Sequence, residues 1–535
     1  MKRAWIYFLL PCIALCLDAC TTTKPGLLSS GISLREKGPA ALEQALADAD
    51  KASASGLTTN EAKRAYSEAV ERAVTLWLGL SDAKNRANSM LAGTSYRVQP
   101  SWPANLRFDE LIPAHTIKSK HLKRRITREG VGVPYVTRWN YTPERKKTEP
   151  LMTEGGYFST ITATIDFRSA GKGPRVASLV LHDSRGIETV TLAGRRQPLA
   201  ADFSAYGEFL LSNKNIQMAG IKALLRSSKY MSKLGLIAME HPDAERIPVV
   251  FVHGLMSRPA TWENAINELG ADPVLQKRYQ VYMFRYPSGV PVVYSSAKLR
   301  ENLAVLHDVL EKQGKGWLHH HMVLIGHSMG GLVSKGQIQD SGDRLWVTLL
   351  GDTPDKIGLS QTEYDALRNY MEFDPNPSVS RVIFAATPHR GSNMADSKLA
   401  HIGRRLVSLP GRTFGNTFDI LEDIATRNPQ FGRLFANGMP TSVDNLSPES
   451  PYVKISTSLP FRPDVRLHSI IGNKEGRPLT DPKCSDGVVP YTSAHLEGVK
   501  SEIVVRSGHG VHEKPEAIEE MRRILRLHLK ELNLN

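Results

Sequence analysis

Three residues in this sequence could act together on a carbonyl group: a serine, an aspartate and a histidine, each placed just after a short apolar run. Ser328 lies in Gly326-His327-Ser328-Met329-Gly330, with Gly331 following. Residues 322–325 before it read as a buried strand, and residues 331–338 after it read as a helix. A serine in so abrupt a strand-to-helix turn sits on a strained backbone that lifts its Oγ clear of the sheet edge. The flanking glycines let strand and helix approach closely. Such a serine becomes a nucleophile when a base takes its proton and an acid orients that base. A Gly-x-Ser-x-Gly run is short, and a glycine-rich turn around a buried serine is the plain alternative, so the other residues carry the decision.

The acid and base are read by position. Ser485-Asp486-Gly487-Val488-Val489-Pro490 follows a strand over 466–471, and Ser507-Gly508-His509-Gly510-Val511-His512 follows a strand over 501–506. Each candidate therefore lies beyond the end of a strand, where the three can meet on one sheet edge. Gly508 and Gly510 leave His509 free to reach inward as the base. His512, near the start of the closing helix, is its rival. Asp486 before glycine also fits an ordinary turn aspartate. A third strand, 247–252, runs into His253-Gly254-Leu255-Met256-Ser257. There the N–H of Leu255, with the N–H of Met329 after the serine, can face a developing oxyanion. His253 reads as a residue that orients this loop, not as the base.

The elements that must hold these residues alternate. A helix over 261–277, a strand over 280–284, a helix over 296–313, the strand before Ser328, a strand over 381–386 and a closing helix over 513–532 complete the series. Strands alternating with helices predict an α/β fold with a mostly parallel sheet and ligand sites beyond the carboxyl ends of its strands. Two insertions interrupt the series, at about 340–380 and 388–464. In the second, Leu399, Ile402, Leu406, Val407 and Leu409 form an apolar stripe beside Lys398, Arg404 and Arg405. That pattern suits a cap helix packed on the core, or an amphipathic lid. His319-His320-His321 is assigned no metal, because adjacent histidines entering a strand point to alternate faces and no carboxylate partner is evident.

Residues 247–535 resemble the α/β-hydrolase superfamily, in its lipase and esterase branch. The resemblance rests on Phe251-Val252-His253-Gly254, Gly326-His327-Ser328-Met329-Gly330-Gly331, Thr387-Pro388-His389-Arg390-Gly391-Ser392, Ser485-Asp486-Gly487-Val488-Val489-Pro490 and Ser507-Gly508-His509. It implies a serine hydrolase in which Ser328 attacks a carboxylic ester and His509 serves as base, then acid. Asp486 orients His509, and the N–H groups of Leu255 and Met329 hold the oxyanion. Esters or lipids are the implied substrates and no cofactor is needed. The same machinery also serves amidases, thioesterases and acyltransferases. A non-catalytic envelope binding or scaffold protein retaining this fold is the alternative of another class.

At 535 residues the chain is long enough for two or three domains. Lys2 and Arg3, an apolar run over 4–17 and then Cys20 read as a signal peptide over 1–19. The small residue before Cys20 resembles a bacterial lipoprotein cleavage box in which the cysteine carries the lipid, although Asp18 departs from that pattern. Thr21 after the cysteine implies the outer membrane, and Thr-rich 20–38 reads as a tether. The chain as a whole resembles bacterial lipoproteins carrying an esterase or lipase domain. Of four cysteines, Cys12 and Cys16 lie in the signal peptide and Cys20 at its end, which leaves only Cys484, so no intramolecular disulfide is expected in the processed chain. The net charge of +14 is scattered, and with an export signal it argues against a nucleic-acid partner. The oligomeric state is left open.

Residues 39–94 read as a helical hairpin, with helices over 39–54 and 60–80 and a capping box from Thr58 to Glu61. Residues 95–245 read as a β-rich domain, a small antiparallel sheet packed on one face, with Thr160, Thr162, Thr164 and Asp166 on the other face. The α/β-hydrolase domain follows over 246–535.

Overall fold

The computed structural model describes residues 38–81, 95–118, 120–212, 234–314, 316–392, 416–434 and 441–534. Residues 1–37, which hold the expected signal segment, Cys20 and all but the last residue of the expected tether, and the apolar stripe over 399–409 lie outside these residues. Among the described residues no helix is long and apolar enough to cross a membrane.

The hairpin consists of α1 (Pro39–Ser53) and α2 (Asn60–Leu80). Leu42, Leu46 and Ala49 recur on one face of α1, and Tyr66, Val70, Ala73 and Trp77 on one face of α2. All are buried, as the helical period requires. The cap of α2 is Thr59, not Thr58: its hydroxyl accepts the Ala62 N–H at 3.1 Å. An N-cap hydroxyl of this kind stabilises a helix by about 1 kcal/mol.

The hairpin does not stand alone. It lies on a five-stranded sheet built from β1 (Tyr96–Ser101), β2 (Glu110–Pro113), β3 (Val133–Trp139), β4 (Tyr157–Arg168) and β5 (Arg175–Asp183), in the order β1-β5-β4-β3-β2. Ile161, Ala163 and Ile165 of β4 share one core with both helices. The Tyr66 hydroxyl donates to the Ile165 carbonyl and accepts the Ile165 N–H, both at 2.8 Å.

Two expectations for this sheet are corrected. The edge strand β1 pairs with β5 in parallel, so the sheet is mixed. It is also covered on both faces: Thr160, Thr162 and Thr164 are as buried as the apolar residues between them. Threonine is tolerated there because its hydroxyl finds partners. Thr160 donates to the Asp202 carbonyl at 2.8 Å, Thr162 donates to that of Ala200, and Thr164 pairs with His182 at 2.8 Å. On this second face Val136 and Phe158 join the core of the C-terminal half.

That half is built on a seven-stranded sheet. Its strands are β6 (Gly235–Ala238), β7 (Ile247–Val252), β8 (Tyr279–Arg285), β9 (Met322–His327), β10 (Val379–Ala385), β11 (Arg466–Gly472) and β12 (Ser501–Val505). The order is β6-β8-β7-β9-β10-β11-β12, parallel except for β6 on β8. The boundary expected at 246 therefore moves back to about 235, because β6 hydrogen-bonds to β8 and not to the N-terminal sheet.

β7 and β9 are buried along their whole length. Val249, Phe251, Val323 and Ile325 face the closing helix (Pro515–Glu531), while Val250, Val252 and Leu324 face the long helix α3 (Val292–Glu311). Alternate side chains thus enter two cores, which is why these strands read as unbroken apolar runs.

The helix expected over 261–277 is broken at Gly270 into Glu263–Leu269 and Pro273–Arg278, the second starting at a proline and capped by Asp272. The two insertions are not independent. Leu345, Trp346, Leu367 and Met371 of the first share one apolar cluster with Ile424, Phe431 and Ile455 of the second, making a single cap. Finally, residues 318–321 form a 3₁₀ turn and not a strand entry, and the Glu311 carboxylate lies 2.7 Å from His319 Nε2. The expectation that no carboxylate stands beside these histidines is corrected.

Candidate active site

Ser328 follows β9 directly and caps a short helix, Met329–Lys335, at φ 55° and ψ −126°. For a non-glycine residue this is a strained conformation, costing on the order of 1–3 kcal/mol. It persists because its surroundings leave no other path. A Cβ on Gly330 would stand 2.2 Å from the Val252 carbonyl oxygen, and one on Gly331 would stand 1.8 Å from Thr387 Oγ1. The Ser328 N–H donates to the Ala385 carbonyl at 2.8 Å, tying the turn to the neighbouring strand.

The structure brings Ser328, His509 and Asp486 together. Ser328 Oγ lies 2.9 Å from His509 Nε2, and His509 Nδ1 lies 2.8 Å from Asp486 Oδ2. An ionised carboxylate only accepts, so the Nδ1–H donates to Asp486 and Nε2 is left to accept the serine proton. The other oxygen, Asp486 Oδ1, accepts the N–H groups of Val488 and Val489 at 2.8 and 2.7 Å. Asp486 is 3% exposed, so its charge is met by fixed partners and not by water.

Met329 directly follows the serine, and Leu255 follows Gly254 in the loop after β7. Met329 is the first residue of its helix, so its N–H has no partner within that helix. A Cβ on Gly254 would reach 3.0 Å from Ser328 Cβ, which brings the start of the Leu255 loop against the nucleophile.

His253 does not face Ser328 as a base. Its ring stacks on Tyr286 at 4.4 Å, and its carbonyl accepts the Tyr286 hydroxyl at 2.6 Å. Nor is His512 brought to the serine. The 3₁₀ turn after Gly510 sends it against Trp262 and His327, with ring centroids 4.8 and 3.9 Å away, and its Nε2 pairs with Thr261 Oγ1 at 3.0 Å.

Sequence reasoning missed two supports. His327 Nε2–H donates to the His509 carbonyl at 2.8 Å and holds the loop that carries the base. Its only sequence signal is its place beside Ser328. Ser392 donates from Oγ to the Val488 carbonyl, so the stretch over 387–392 props both the turn, through Thr387, and the acid loop.

Burial pushes His253 down to about 4, and burial, with a second imidazole at His509 beside it, pushes His512 down to about 3. Each ring is neutral in the folded protein and takes up a proton on unfolding wherever the pH lies between its folded value and the unfolded value of about 6.5. Their contribution is complete above pH 6.5 and falls as the pH drops below it, by about 1.4 kcal/mol per pH unit for each ring. The thermal midpoint should therefore fall steeply from pH 6.5 to pH 4.5. In His512→Gln that slope should flatten, while ester turnover stays within about tenfold of the parent. Thermal melts across this range and steady-state kinetics check both. A slope unchanged by the substitution would count against the neutral buried ring, and a collapse of turnover would make His512 a participant.

No curated protein matches this chain in sequence. Several solved structures are similar to parts of it. A Bacillus licheniformis lipase, BlEst2 in its mature form, is 18% identical over 54% of this chain and 94% of its own, with a TM-score of 0.27. The Staphylococcus hyicus lipase is 16% identical over 54% of this chain and 95% of its own, with a TM-score of 0.32. Esterase B of Lactobacillus rhamnosis is 14% identical over 55% of this chain and 80% of its own, with a TM-score of 0.28. The sequence model of the alpha/beta hydrolase family matches residues 249–521, just over half the chain. That span runs from the strand before the Leu255 loop, through Ser328 and Asp486, to the closing helix beyond His509, and by it this chain belongs to the alpha/beta hydrolase family.

Proposed function

We propose that this hydrolase cleaves carboxylic esters, lipids among them, through an acyl-enzyme on Ser328. The observation that carries the reading is the unbroken hydrogen-bonded series from Ser328 Oγ to His509 Nε2 and from His509 Nδ1 to Asp486 Oδ2, at 2.9 and 2.8 Å. In this reading Ser328 Oγ attacks the ester carbonyl carbon as its proton passes to His509 Nε2. The N–H groups of Leu255 and Met329 take the oxyanion. The imidazolium, steadied by Asp486, protonates the departing alcohol oxygen. Water, deprotonated by His509, then attacks the acyl-enzyme, and the carboxylic acid leaves as the proton returns to Ser328. In the same reading the segment before Cys20 directs export, and a lipid on Cys20 holds the enzyme at the cell envelope, facing the periplasm or the surface.

The test uses purified full chain, a graded series of p-nitrophenyl esters from acetate to palmitate, and a fluorophosphonate probe. Hydrolysis of at least one ester, with probe labelling that Ser328→Ala abolishes, is the expected result. A folded protein that neither labels nor hydrolyses any ester in the series would point instead to a binding or scaffold role.

A further inference from the structure

A cluster of four ligating side chains stands apart from the catalytic residues. His307 and Glu311 lie one turn apart at the end of α3, a spacing that puts them on the same face of the helix. The chain then turns back through Gly314 and Gly316, both at positive φ, into the 3₁₀ turn Leu318–His321. That turn returns His319 and His320 to the face carrying His307 and Glu311. His319 Nε2 lies 2.7 Å from Glu311 Oε2, and His320 Nε2 lies 3.7 Å from the same oxygen. His307 Nε2 lies 3.4 Å from His320 Nδ1. One ligand atom from each of the four residues can be chosen so that all lie within 4.8 Å of one another. His321 is not a member; its ring faces Trp317 at 4.8 Å.

We propose that His307, Glu311, His319 and His320 bind a divalent transition-metal cation, of which Zn²⁺ fits best. Three imidazoles and one carboxylate are a four-ligand set of the kind that Zn²⁺ takes in tetrahedral geometry. With bonds of about 2.0–2.1 Å, tetrahedral ligand atoms stand roughly 3.4 Å apart. The present spacing reaches that by side-chain shifts of about 1 Å. Imidazole-rich sets favour zinc, copper and nickel over magnesium or calcium, which prefer all-oxygen ligands. Glu311 and His320 are 60% and 47% exposed, so an ion has an open approach, while His319 is buried and anchors the site to the fold. Three histidine rings crowd a single carboxylate here. A cation gives each ring nitrogen lone pair a partner at once, which the carboxylate cannot do.

The location sets the role. The cluster precedes Met322, the first residue of β9, whereas Ser328 follows the last; six strand residues span about 20 Å. A metal here does not touch the reacting ester. It ties the end of α3 to the turn that feeds the nucleophile strand, so its effect is on stability.

The experiment uses the full chain, produced without a histidine tag and freed of metal with a chelator. Zn²⁺ is titrated calorimetrically, Co²⁺ by visible absorption, and thermal midpoints are recorded with and without each ion. Glu311→Gln with His320→Asn is the comparison; both side chains are exposed, so the fold is retained and ester turnover stays within about twofold of the metal-free parent. The expected result is one tight Zn²⁺ per chain, an intense tetrahedral Co²⁺ spectrum and a raised midpoint, with affinity weakened at least about tenfold in the double variant. Absence of binding, a weak octahedral Co²⁺ spectrum, or equal binding by the double variant would each overturn the proposal. None of these outcomes bears on Ser328, so the metal site and the ester hydrolase stand or fall separately.

Discussion

Ser328→Ala should lower kcat on a good ester by roughly 10⁵- to 10⁶-fold, the scale on which serine hydrolases lose activity without their nucleophile. The chemistry loses the hydroxyl that stands 2.9 Å from His509 Nε2 as a proton donor. The fold loses little. Alanine keeps a Cβ of the same size, bears the same positive φ, and keeps the N–H that donates to Ala385. The thermal midpoint should thus move by a few degrees at most while turnover vanishes. Binding of substrate should persist, because the substitution removes one hydroxyl and leaves the backbone around residue 328 in place. Adding His509→Ala to Ser328→Ala should cost almost nothing further, since a base with no proton to take has no work left. Steady-state kinetics on the two single variants and the double variant measure this. More than about 1% residual activity in Ser328→Ala, beyond what contaminating enzyme explains, would place the nucleophile elsewhere.

Asp486→Asn should lower kcat by about 10⁴-fold with little change in KM. The reason is a proton on the wrong nitrogen. Asp486 Oδ2 accepts the His509 Nδ1–H, and Oδ1 is held by the N–H groups of Val488 and Val489. Those two backbone donors fix which side of an asparagine amide faces them: its oxygen. Its NH₂ group is thereby turned toward His509 Nδ1, which must accept. The ring then carries its proton on Nε2, the atom that should receive the proton of Ser328. Geometry is preserved and the base is disabled. Labelling by a fluorophosphonate should slow in parallel with kcat, while the thermal midpoint stays near that of the parent. A variant within about tenfold of the parent would mean that another acid orients His509.

Ser328, Asp486 and His509 are residues that the order of strands along the chain already pointed to. The three stretches are legible because each needs something local. Gly326, Gly330 and Gly331 are where a side chain would meet Val252, Thr387 or the helix backbone. The glycines around His509 leave its approach open. The apolar runs of β7 and β9 announce strands covered on both faces. In the N-terminal half the structure departs from expectation where partners are distant in sequence. Thr160, Thr162 and Thr164 alternate like a solvated face, but their carbonyl and imidazole partners come from residues 18 to 42 positions away. The boundary expected at 246 leaves Gly235–Ala238 on the N-terminal side because a four-residue strand carries no mark of which sheet it will join.

By itself, then, the sequence determined the alternating α/β series, the turn at Ser328, the serial order of Ser328, Asp486 and His509, and the existence of two insertions. Each follows from local backbone needs and from the period of apolar residues. Only the tertiary structure decided that His509 meets Ser328 while His512 turns away to Trp262. It alone showed that the insertions share one cluster, that His327 supports the His509 loop, and that Glu311 stands beside His319. The physical reason is the same in each case. Periodicity says which face of an element is buried, but the identity of the buried partner depends on how elements far apart in the chain are brought together.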